Sequence, residues 1–156
     1  MDAVTYDGSD LEVLADMPNY YSWIMETFTP HVRGHVVEYG AGVGTISARL
    51  APLAQTLTLV EPSPNLVPRL AARFADTAQV TVTPESLETH TARLASDSID
   101  TVVVDVLNTL MGATSFNPAL VSLNDRYAVP LTRAIERAFG APFGKNLILV
   151  ARKDKS

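Results

Sequence analysis

Apolar residues recur at intervals of three and four at Leu11, Leu14, Met17, Tyr21, Ile24, Met25 and Phe28. That spacing predicts helical segments over 10–30, interrupted at Pro18 and closed by Pro30. The period then changes. His35-Val-Val-Glu-Tyr39 is a short β-branched run that meets Gly40-Ala-Gly-Val-Gly44 at once, and helical spacing resumes over 45–53. This is the pattern of a strand, a glycine turn and a helix. The alternation continues with a strand at 56–60, a helix at 65–74 and strands at 79–83 and 101–106. Turn-formers fill 111–118, a periodic stretch covers 120–139 with a predicted break at Pro130, and Gly140-Ala-Pro-Phe-Gly144 precedes a last apolar strand over 146–151.

Strands alternating with helices imply parallel strands joined by crossovers. The expected fold is therefore α/β, a Rossmann-like, mostly parallel sheet flanked by helices. With 156 residues, 47% of them apolar and 19% charged, the chain suits one continuous core. It reads as a single domain over 1–156: an N-terminal helical segment at 10–30, a ligand-binding core at 35–106, and a C-terminal helix and strand at 119–152. No internal repeat or low-complexity tract is present in the sequence.

Charge narrows the function. The net charge is -5 and the twelve basic residues are scattered, which argues against a surface that holds nucleic acid by neutralising phosphates. There is no cysteine and the three histidines are isolated, so no metal site is expected. The first residues, MDAVTYDGSDLEVLADM, are acidic and polar, unlike a secretory leader. No apolar run approaches the roughly 20 residues that span a bilayer. The expectation is a soluble, cytoplasmic protein without a membrane partner.

The chemical signal lies in Glu38-Tyr-Gly-Ala-Gly-Val-Gly44. Glycines at alternate positions let the backbone bend tightly and approach a ligand without Cβ atoms between. Thr56-Leu-Thr-Leu-Val-Glu61 then ends in a carboxylate about 20 residues past the loop, the spacing at which an acid can accept hydrogen bonds from both ribose hydroxyls of a nucleoside. Two features point away from NAD. The spacing is G-x-G-x-G instead of G-x-G-x-x-G, and Glu38 places negative charge where a diphosphate would otherwise lie. A Walker phosphate loop is excluded, because no Gly-Lys-Ser/Thr follows.

On these residues the sequence resembles the class I S-adenosylmethionine-dependent methyltransferases from about Asn19 to Leu110. His35-Val-Val-Glu-Tyr-Gly-Ala-Gly-Val-Gly-Thr45 is similar to the family's first motif, and Leu59-Val-Glu-Pro-Ser63 to the acidic end of its second strand. The resemblance implies S-adenosylmethionine as cofactor. Gly40, Gly42 and Gly44 would pack against its methionine part, Glu38 would face its amino end and Glu61 would bind the ribose. Glu85-Ser86-Leu87 resembles the adenine-lining segment, so Ser86 and Leu87 join the implied site. Asp105, in Val104-Asp-Val-Leu107, falls near the sulfonium by motif position. It is the candidate base; orienting the cofactor or ending the strand is its other possible role. Asn19-Tyr20-Tyr21 resembles a helix that closes over the cofactor, so Tyr20 or Tyr21 could touch its carboxylate, while aromatic packing at helical spacing is an equally open reading. For His31, His35 and His90, surface or packing roles are expected.

After Leu110 the sequence departs from the family. Family members continue with a helix, a fifth strand and a variable acceptor-shaping segment, whereas this chain passes almost directly to what resembles the final helix and strand. We expect an internal deletion, with 146–151 pairing beside the fourth strand, or exchanged between subunits if it cannot reach that slot. That yields an expected homo-oligomer. Three activities fit the implied site: methyl transfer to a small molecule, non-catalytic binding of the cofactor, or cleavage of the sulfonium without an acceptor.

Overall fold

The computed structural model describes residues 15–94, 98–104, 118–139 and 151–152. The elements in chain order are α1 (Pro18–Phe28), β1 (His35–Tyr39), α2 (Ser47–Leu50), β2 (Thr56–Val60), α3 (Val67–Arg73), β3 (Val80–Thr83), α4 (Leu87–Arg93), β4 (Thr101–Val104), α5 (Pro118–Leu123), a π-helical turn (Asn124–Ala128), α6 (Val129–Phe139) and β5 (Ala151–Arg152). The strands form one sheet in the order β3-β2-β1-β4-β5. The first four are parallel, with Val36 opposite Leu57 and Thr101, and β5 is antiparallel to β4, with Val102 opposite Ala151.

Strand order follows from handed crossovers. β2 and β3 add to one side of β1 and β4 to the other, so the order reverses at β1, and the carboxyl ends of β1 and β4 frame a switch point where open α/β sheets bind ligands. Period-two alternation gives the sheet two buried faces. Val36, Leu57, Leu59 and Val103 join Ile24, Phe28, Leu50 and Leu70 in one cluster, and Val37, Tyr39 and Val60 form a second with Ile99, Val102 and Val104 packed against it.

The expected mostly parallel sheet is therefore present, with local differences. Pro18 opens α1 instead of interrupting it, because a residue without an N–H costs nothing in a first helical turn. The helix expected over 45–53 is regular only over Ser47–Leu50, as Pro52 ends the backbone ladder. Pro130 does not break the 120–139 stretch: the Val129 N–H bonds the Asn124 carbonyl, and the wider π turn lets Pro130 enter the first turn of α6. Helix α4 is an element that periodicity missed. Its one sequence cue is Ser86, whose Oγ accepts the Thr89 N–H as N-cap. Of the last strand, residues 146–150 lie outside the described residues; Ala151–Arg152 reaches the slot beside β4 within the same chain. Among the described residues, no helix is long and apolar enough to cross a membrane.

Candidate functional site

The loop after β1 is built by left-handed backbone. Gly40, Gly42 and Gly44 have φ of 77°, 57° and 80°, a region that costs an L-residue roughly 1–2 kcal/mol. Gly44 carries a second constraint, since a Cβ there would lie 2.7 Å from Phe74 Cε2 and 2.9 Å from Leu70 Cδ1. Its missing side chain is what lets the loop sit on α3. The Gly40 N–H donates to the Val60 carbonyl at 2.9 Å, and the Gly44 N–H to the Ala41 carbonyl at 2.8 Å. Two arginines hold the far side of the loop: Arg73 Nη1 donates to the Val43 carbonyl at 2.8 Å and Arg49 Nη1 to the Thr45 carbonyl at 2.6 Å.

Glu61, at the end of β2, is 4% exposed. Its Oε2 accepts the Gly42 N–H at 2.8 Å and its Oε1 accepts the Ser63 N–H at 2.9 Å. A carboxylate offers about four acceptor positions, so these two bonds orient the group while leaving each oxygen capacity for a further donor. That pair of acceptor oxygens suits the paired hydroxyls of a ribose. Loop and acid, separate in the sequence, are thus one hydrogen-bonded unit.

Glu38 is 1% exposed and accepts from Ser47 Oγ at 2.6 Å. Its carboxylate ties the end of β1 to the first residue of α2, spanning the glycine loop from beneath. Tyr20 is buried in the first turn of α1, its ring edge-on to Tyr21 with centroids 5.3 Å apart. Ser86 caps α4, and Leu87 beside it is exposed. Asp105 lies outside the described residues.

Residues that the sequence reading did not single out complete the surroundings. Tyr39, between Glu38 and Gly40, has its hydroxyl 2.8 Å from His90 Nδ1, both side chains buried. The hydroxyl donates when His90 carries its proton on Nε2. Burial pushes the Tyr39 phenol above the ordinary tyrosine range. His90 therefore has the packing role expected of it, and His35 bonds the Ser98 carbonyl and Thr58 Oγ1. No local motif marks Arg49, Arg73 or Ser47, whose partners are set by how α2 and α3 pack against the loop.

No protein-family model matches the sequence, and no curated protein matches it. Among solved structures, it is similar to the YcgJ protein from Bacillus subtilis at 17% identity and a TM-score of 0.47, over 54% of this chain and 36% of that one. It is similar to a SAM-dependent methyltransferase from Leishmania major at 24% identity and 0.39, over 52% and 33%. It is also similar to phosphoethanolamine N-methyltransferase 1 of Haemonchus contortus at 15% identity and 0.47, over 69% and 31%. The chain spans about a third of the length of each of these structures. By its own strand order, with the glycine loop and Glu61 joined at the switch point, the chain has a Rossmann-like, mostly parallel α/β fold.

Proposed function

We propose that this chain binds S-adenosylmethionine at the switch point and transfers its methyl group to a small molecule. The observation that carries the reading is the Glu61 carboxylate, oriented by the Gly42 and Ser63 N–H groups with acceptor capacity to spare. In this reading Gly40, Gly42 and Gly44 lie against the methionine portion, Glu61 accepts from the ribose and Ser86 and Leu87 line the adenine. Glu38 stabilises the amino end through the loop it supports, and Tyr20 packs at the carboxylate end. The bound cofactor supplies an electrophilic methyl on a sulfonium. The chain's task is to hold that methyl near attack distance of the acceptor and to exclude water, which together account for most of the acceleration such a displacement needs. Asp105 is proposed as the base for a hydroxyl or amine acceptor. A small-molecule acceptor is preferred to nucleic acid because the net charge is -5.

The experiment is calorimetric titration of S-adenosylmethionine and S-adenosylhomocysteine into the native protein and the Gly42→Val and Glu61→Ala variants. Binding by the native protein that both substitutions abolish supports the site; no binding by the native protein at millimolar ligand overturns it.

A second reading, a non-catalytic or sulfonium-cleaving protein, is favoured by one observation. In the described sheet, the antiparallel β5 lies directly beside β4, the slot that the expected internal deletion would leave to the C-terminal strand. Incubation with S-adenosylmethionine alone separates the readings, since release of methylthioadenosine marks cleavage. A cytoplasmic homo-oligomer belongs to the same proposal. Because Ala151–Arg152 pairs with β4 inside one chain, strand exchange is not needed to fill that slot, and a mass of 16.8 kDa by light scattering would overturn the oligomer.

A further inference from the structure

The first turn of α1 is capped from another part of the chain. Met17, the residue before the helix, makes no side-chain cap. Instead Asp125, 4% exposed, accepts the Tyr20 backbone N–H at Oδ1 (2.8 Å) and the Asn19 backbone N–H at Oδ2 (3.1 Å). Asn19 Nδ2 adds bonds of 3.2 Å to Asp125 Oδ2 and to the Asp125 carbonyl. A buried carboxylate is costly unless it is hydrogen-bonded, and here three N–H donors and the positive end of an 11-residue helix face it. Asp125 lies in the π-helical turn Asn124–Ala128, a widened geometry that recurs at functional sites.

Helix α1 is tied in turn to the glycine loop. The Arg49 guanidinium carbon lies 4.4 Å from the centroid of the Tyr21 ring, and Arg49 Nη1 donates to the carbonyl of Thr45, the residue after Gly44. A planar guanidinium can stack with its face and donate with its edge at the same time, which an ammonium cannot. A continuous set of contacts thus runs from Asp125 through Asn19 and Tyr20, along the first turn to Tyr21, and through Arg49 to Thr45.

We infer that Asp125 and Arg49 are positioning residues that clamp the first turn of α1 against the glycine loop, so that the π-helical turn sets the geometry of the amino-acid end of the ligand site. The inference rests on the proposed binding of an adenosyl sulfonium. The other end of the site is held independently, because Glu61 takes its orientation from Gly42 and Ser63. The clamp should therefore act on one end of the ligand and leave recognition of the adenosine intact.

The test is titration of S-adenosylhomocysteine and of 5′-methylthioadenosine, which keeps the adenosine but lacks the amino acid, into the full chain as native protein, Asp125→Asn and Arg49→Lys. Asn keeps the size of Asp125 but turns an NH2 toward an N–H; Lys keeps the charge of Arg49 but loses its planar face. Each variant is expected to bind S-adenosylhomocysteine about tenfold more weakly, the loss of one charge-assisted bond, with methylthioadenosine within about twofold of native. Equal weakening of both ligands, or no weakening of either, overturns the clamp. Should Asp125→Asn fail to fold, Arg49→Lys decides on the same criterion. Failure of the native protein to bind either ligand overturns the cofactor reading and the clamp with it, and that outcome is visible before any variant is measured.

Discussion

The Gly42 backbone N–H donates to Glu61 Oε2 at 2.8 Å, so the acid that ends β2 holds the loop that follows β1. Glu61→Ala would leave the Gly42 and Ser63 N–H groups without this acceptor, each unmade buried bond costing about 1–3 kcal/mol. Glu61→Gln keeps one acceptor oxygen and is expected to cost less stability while still weakening S-adenosylhomocysteine by roughly tenfold or more, since a charge-assisted bond becomes a neutral one. Urea denaturation beside calorimetric titration separates the two effects. Unchanged affinity in Glu61→Gln would remove the ribose role.

Gly44→Ala is expected to destabilise the fold by roughly 2–5 kcal/mol, the sum of a left-handed backbone strain and overpacking of the added methyl. The methyl would meet Phe74 and Leu70 at 2.7 and 2.9 Å. The urea midpoint measures it; a shift equivalent to less than 1 kcal/mol would mean that α3 can move away from the loop.

Tyr39→Phe removes the hydroxyl that pairs with buried His90 Nδ1 and is expected to cost about 1–3 kcal/mol near neutral pH. The native phenol is held above its ordinary value of 10.0 by burial. Between that value and the raised one, the unfolded chain has lost the proton and the folded chain retains it. Stability is therefore full below pH 10 and falls as pH rises beyond it. Melting curves across the alkaline range should show a shallower decline for Tyr39→Phe.

Glu26 on α1 is paired with Arg133 and Arg137 on α6, and the hydrogen bond from Arg133 holds its carboxyl below the ordinary value of 4.5. A depressed carboxyl stabilises the fold above the unfolded value and loses that contribution as pH falls through the folded one. Glu26→Gln should thus flatten the decline of the melting temperature below pH 4.5, and identical acid limbs for the two proteins would show the pair to be idle.

Much of the fold was legible because it follows from local rules. Val36 and Val37 announce a strand, and Gly40, Gly42 and Gly44 announce a turn with positive φ, since these preferences are properties of a few adjacent residues. Glu61 was legible by its spacing from the loop. Helix α4 was missed because Leu87–Arg93 carries threonines, a histidine and charges in place of an apolar stripe, so its packing through His90 leaves no periodic trace.

By itself, the sequence determined the alternation of strands and helices, the glycine loop and the acid that answers it, because backbone sterics and hydrophobic period act over a few residues. Only the tertiary structure decided that Glu61 turns its carboxylate into the loop, that Glu38 bonds Ser47, that Pro130 sits after a π turn, and that Asp125 caps the first turn of α1 through Asn19, 106 residues earlier in the chain. A hydrogen bond is won or lost within a few tenths of an ångström, and the packing of whole elements on the sheet sets distances that fine between residues so far apart in the chain.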